Sequence, residues 1–118
     1  MAPQQVDLKN ERMKDYSFLE EMYRDDYFPR NCVDKGKEIL RNLCFEIEQQ
    51  SPQKLEDLYV LTHAATEEFN DLQEDFDAHD SEIETVARDC IGTDFLFIAN
   101  AYGFEDADRE ELISTRDW

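Results

Sequence analysis

Lysine and arginine are scarce in this sequence: 12 of them stand against 30 aspartates and glutamates over 118 residues, a net charge of −18. Proteins that read nucleic-acid phosphates present a basic surface, so this composition argues against direct binding to DNA or RNA. Glycine and proline number 3 each, too few for the turns of a sandwich or propeller or for a glycine-rich phosphate loop. No apolar run approaches the roughly 18 residues of a membrane span, and the start of the chain has no signal-peptide core. The expectation is a soluble, cytoplasmic protein with no membrane partner. Cys32, Cys44 and Cys90 are odd in number and form neither a CxxC nor a metal-ligand spacing. Reduced thiols acting as small hydrophobes fit that pattern, with Cys44 and Cys90 on apolar stripes.

What the chain does have is a core. A hydrophobic fraction of 41% with 12% aromatics is too rich for disorder, and the length suits one domain. Residues 1–14 are polar and aperiodic and read as a mobile leader, leaving 15–118 as a single domain. Phe18, Leu19, Met22 and Tyr23 predict a short helix with Asp15 as its N-cap, ending before Pro29. Over residues 30–50, Val33, Gly36, Leu40, Leu43 and Ile47 form a second stripe, flanked by Ile39 and Cys44. Gly36 inside it is expected to admit a neighbouring helix closely. Ser51 and Pro52 predict an N-cap and first residue for a third helix over 52–76. Its stripe is Leu55, Leu58, Thr62, Ala65, Phe69, Leu72 and Phe76. A turn at 77–80 and a capping box from Ser81 to Glu84 predict a fourth helix over 82–102. Gly103 suits the left-handed position after that helix, with Phe104 as its hydrophobic partner. A short helix over 106–114 precedes the tail. No stretch alternates like a strand. The fold expected is all-α, a compact bundle of three long amphipathic helices with a short helix at each end.

Charge is unevenly spread along this framework. Residues 1–50 carry a net of −3 and residues 51–118 a net of −15. Between Lys54 and Arg88 eleven carboxylates occur with no lysine or arginine. Glu67, Glu68, Asp71, Glu74 and Asp75 fall on the outer side of the third helix, and Asp77 and Asp80 extend the set into the turn. Pairs such as Glu67/Asp71 and Asp71/Asp75 repel across one helical turn, at about 0.2–0.5 kcal/mol each. Two readings fit such a face. One is solubility, and the other is a docking surface for a cationic protein, which would bind rapidly and with strong salt sensitivity.

Enzymatic signatures are absent: there is no G-x-S-x-G, P-loop, H-E-x-x-H or dinucleotide fingerprint. Residues 75–86 lack the glycine and the final glutamate of a calcium loop. His63/Glu67 and Asp75/His79 each have an i, i+4 spacing that would place two metal ligands on one helix face, but no Glu-x-x-His motif accompanies them. His63 is expected at the core boundary, hydrogen-bonded near Tyr59 and Thr66 or Asn70. Asp94 falls beside the apolar stripe of the fourth helix, where a carboxylate takes a raised pKa and a Lys, Arg or tyrosine partner. Tyr16, Tyr23, Tyr27 and Phe28 read mainly as core and boundary. Trp118 either folds back or reaches another chain.

Several stretches together look familiar: Met22 to Pro29 (MYRDDYFP) with Val33 to Lys37 (VDKGK), Leu61 to Leu72 (LTHAATEEFNDL), Ala99 to Phe104 (ANAYGF), and the closing Arg116-Asp117-Trp118. The chain resembles a family of short acidic bacterial proteins known only as a domain of unknown function. The likeness covers nearly everything after Asp15 and implies a bacterial cytoplasmic protein, without supplying an activity, cofactor or catalytic residue. From the residues themselves, the leading reading is a non-enzymatic module that docks a basic protein partner through Glu67, Glu68, Asp71, Glu74, Asp75, Asp77 and Asp80. It would work by the physics of immunity proteins that block cationic nucleases, an analogy of charge and size. No cofactor or metal is expected. The alternatives are a metal-dependent helical enzyme using His63, Glu67, Asp75 and His79, and a homo-oligomer packed through the tyrosine-rich start and Trp118.

Overall fold

A computed structural model describes residues 4–118. Five α-helices follow a single 3₁₀ turn at Gln5–Asp7, and no strand occurs among the described residues. They are α1 (Glu20–Tyr23), α2 (Arg30–Gln50), α3 (Leu55–Ala78), α4 (Thr85–Ala101) and α5 (Arg109–Leu112). The expected bundle of three long helices between two short ones is therefore what the chain forms.

The apolar stripes set the packing. Val33, Gly36, Leu40, Leu43, Cys44 and Ile47 of α2 are buried against Leu58, Thr62, Ala65, Phe69, Leu72 and Phe76 of α3. Four residues, 51–54, join the two helices into an antiparallel hairpin, so Lys35 near the start of α2 meets Asp75 near the end of α3. Gly36 does admit a neighbour: a methyl group there would lie 3.0 Å from Leu19 Cδ1 and 3.1 Å from Phe69 Cε1. Ala87, Ile91, Phe95, Ile98 and Ala99 of α4 close the core from the other side. The C-terminus of α4 ends as its sequence predicts. Gly103 has φ 93°, Phe104 N–H donates to Ala99 O at 2.9 Å, and Gly103 N–H donates to Asn100 O at 3.0 Å.

Several helix boundaries differ from expectation. The first helix shrinks to Glu20–Tyr23, and its N-cap is a fully buried Leu19 in the left-handed region (φ 56°), not Asp15. Ser51 does not start α3. It closes α2 at φ 50°, and α3 begins at Leu55. The capping box at Ser81 does not form either. Ser81 N–H donates to Phe76 O at 2.9 Å and finishes α3, while Glu84 caps α4 through Val86 N–H at 3.3 Å. The last helix contracts to Arg109–Leu112.

Of the expected mobile leader, residues 1–3 lie outside the described residues. The remainder is not loose: Leu8 and Met13 are completely buried. Gln5 Nε2 donates to the carbonyls of Met13 and Tyr16, both at 2.8 Å. Asn10 Nδ2 donates to Ala101 O at 2.8 Å, and the Glu48 carboxylate accepts from the Lys9 and Asn10 N–H groups. The segment is irregular because its own Gln5 and Asn10 side chains, the Glu48 carboxylate of α2 and the Ala101 carbonyl of α4 hold it in place of a helical ladder.

Candidate functional site

The acidic residues of α3 cluster as the 100° helical step dictates. Opposite the stripe of Leu58, Ala65, Phe69 and Phe76, the outer half of α3 presents Glu67, Glu68, Asp71 and Glu74 to solvent, and Asp77 and Asp80 are exposed where the helix ends. Asp75 differs from these six. It is half-buried and its Oδ2 pairs with Lys35 Nζ at 2.6 Å, which holds the lysine ammonium above its ordinary range. No other member of the seven makes an ion pair among the described residues. Glu68 faces α2, where burial first, and then Asp71 and Glu46, push its carboxyl above the usual range.

The other flank of α3 is zipped to the C-terminal segment. His63 Nε2 donates to Glu111 O at 2.8 Å and lies 3.2 Å from Ser114 Oγ, while its ring stacks on Tyr59. Thus Tyr59 is a neighbour as expected, but the hydrogen bonds go to the tail and not to Thr66 or Asn70. Asn70 instead holds Thr115 O and Asp117 N–H, and Gln73 donates to Asp117. Trp118 folds back onto the bundle, its ring edge-on to Phe69 at 6.1 Å, which is one of the two placements its sequence left open.

The four residues of the metal reading do not come together. His63 and Asp75 are 12 positions apart on one straight helix, about 18 Å at 1.5 Å per residue, so the two pairs form no common centre. The His63 nitrogen Nε2 is committed to the tail, and His79 Nδ1 donates to Asp75 O at 2.8 Å. No group of three or more His, Cys, Asp or Glu side chains is placed to hold a metal among the described residues. Burial pushes the Cys44 thiol up to about 12 and the Cys90 thiol up to about 11.

A second feature was not legible in the sequence. Residues 12–21 arch over the N-terminal half of α4 and leave a cleft of about 700 Å³. Asp94 forms its floor at 5% exposure. Its Oδ1 accepts from Tyr16 O–H at 2.6 Å and its Oδ2 from Leu19 N–H at 2.7 Å. The tyrosine partner was among those expected. Burial raises the Asp94 carboxyl, with the two hydrogen bonds opposing it. Tyr16 stacks on Phe97 at 4.1 Å, and the Arg12 guanidinium lies 5.0 Å above the same ring. Asp94 beside an apolar stripe was the one available signal; the arching segment carries no periodicity that would place it there.

The protein is thus an all-α bundle with an anionic face and an acid-floored cleft. It belongs to a family of unknown function, DUF5713, which it matches over residues 12–118. No curated protein and no solved structure matches the chain. No helix among the described residues is long and apolar enough to cross a membrane.

Proposed function

We propose that the protein is a non-enzymatic binding module of the bacterial cytoplasm. It docks a basic protein partner on the outer face of α3, acting as an inhibitor- or immunity-like blocker. The observation that carries this reading is that Glu67, Glu68, Asp71, Glu74, Asp77 and Asp80 are exposed and unpaired by any lysine or arginine among the described residues. A set of like charges on one rigid helix stores repulsion in the free protein. A cationic partner relieves that repulsion, so complementarity raises the association rate and makes it salt-dependent. Asp75, already paired with Lys35, contributes least.

The test compares the wild type with the triple variant Glu67→Lys, Asp71→Lys, Glu74→Lys. Both are immobilised and exposed to host lysate at low and high salt, and retained basic proteins are identified and their association kinetics measured. The reading expects a basic protein captured by the wild type at low salt, with association slowed in the variant and its salt dependence flattened. Identical kinetics for the two proteins would remove the α3 face from the proposal.

A further inference from the structure

The cleft between residues 12–21 and α4 is separate from the α3 face, and its charges do not balance internally. Glu20 at its edge is paired with Arg24 at 2.7 Å, and Asp89 with Arg109 at 2.9 Å. Asp15, Glu21 and Asp94 make no ion pair among the described residues. The one cation in the lining, Arg12, sits over Phe97 and bonds none of them. Asp94 is the decisive member. A carboxylate this buried is either neutral or accompanied by a cation, and among the described residues its partners are a phenol and one backbone N–H. Each of its oxygens accepts two hydrogen bonds and uses one here, so acceptor capacity remains. Volume also suits a ligand: about 700 Å³ lies within the roughly 300–1,000 Å³ of small-molecule sites. Cys90 and Val86 give the lining apolar surface suited to a short alkyl chain.

We propose that this cleft binds a small free organic cation, an ammonium or guanidinium on a short alkyl chain. The head group donates to the unused acceptor positions of Asp94, the chain lies along Cys90 and Val86, and Asp15 and Glu21 attract the charge at the mouth. This site does not depend on the α3 face or on a protein partner.

Agmatine is the probe, with neutral butylurea, which keeps the four-carbon chain but neither of agmatine's charges, as control, followed by amide NMR on the full chain. Saturable shifts at Ser17, Cys90, Thr93 and Asp94 are expected with agmatine and none with butylurea. Because Asp94→Asn removes an acceptor for Leu19 N–H and risks unfolding, two variants at three exposed positions keep the test decisive. Ser17→Trp obstructs the mouth and should abolish the shifts. The pair Asp15→Asn, Glu21→Gln should weaken binding about tenfold, equivalent to roughly 1.4 kcal/mol. The triple α3 variant should bind as the wild type does, which separates this site from the docking face. Non-saturating shifts, equal binding of butylurea, indifference to Ser17→Trp, or equal weakening by the α3 variant would each overturn the proposal. So would tighter binding of an arginine-containing tripeptide than of agmatine, which would assign the cleft to a protein side chain.

Discussion

Two carboxylates anchor the irregular first part of the chain, and they titrate in opposite directions. Glu48 on α2 accepts from Lys9 N–H at 2.9 Å, Asn10 N–H at 3.1 Å and Tyr102 O–H at 2.5 Å. Burial pushes its carboxyl up, but those hydrogen bonds and the Lys9 charge outweigh burial and leave it below the usual range. A carboxyl lowered on folding adds stability at pH values above its unfolded pKa, about 4.3, and that contribution disappears as pH falls through the folded value. Asp94 is raised, so its contribution is complete below its unfolded pKa and is lost as pH rises through the folded one. Replacing Glu48 with Gln leaves at least one donor unmet and should cost about 1–3 kcal/mol near neutral pH. Urea unfolding at neutral and acid pH checks this. The gap between variant and wild type should close as pH drops below the carboxylate range, and an equal gap at both pH values would show that Glu48 is not the anchor. None of this was visible from residues 1–14, because a segment held by scattered hydrogen bonds to α2 and α4 needs no apolar period of its own.

At the scale of the helices, the end of α3 shows what patterning reveals and what it conceals. Asp80 takes φ 58°, the conformation that glycine adopts without strain, and it lies beside the negative end of the α3 dipole. Asp80→Gly should therefore stabilise the protein by about 1 kcal/mol, the combined cost of a left-handed side chain and a misplaced charge. Thermal unfolding at neutral pH measures it, and a lower midpoint would contradict the assignment of strain to this residue. The long helices were legible because burial repeats every three or four residues: the α2 stripe from Val33 to Ile47 and the α3 stripe from Leu58 to Phe76 are the buried ones. Their ends were less so. A Ser-x-x-Glu spelling at 81–84 is satisfied equally by a capping box and by what occurs, a helix terminator at Ser81 followed by a cap at Glu84. Local sequence contains both solutions, and the burial of Ser81 and Ile83 in the turn accompanies the second. The acidic face was legible for the same reason as the stripes, since it occupies the complementary half of the same helical period. The cleft was not, because it depends on a non-helical segment crossing α4.

For the molecule as a whole, the surplus of anionic groups is a stability term as well as a recognition device. A net charge of −18, of which −15 lies beyond residue 50, makes folding gather charges that the unfolded chain keeps apart. Screening by salt should relieve this, since the Debye length falls from roughly 30 Å at about 0.01 M to roughly 8 Å at about 0.15 M. The melting temperature of the wild type is therefore expected to rise with ionic strength across that range. In the variant Glu67→Lys, Asp71→Lys, Glu74→Lys the low-salt midpoint should be higher and the gain from salt smaller, because the net charge of the face falls and the new lysines at positions 71 and 74 lie one turn from Glu68, Asp75 and Asp77. Exposed ion pairs are weak individually, so the differential salt response, more than the absolute midpoint, reports the face. A triple variant with the same salt response as the wild type would mean that the α3 carboxylates are already screened in the free protein. They would then hold no repulsion for a basic partner to relieve, and the face would serve solubility alone.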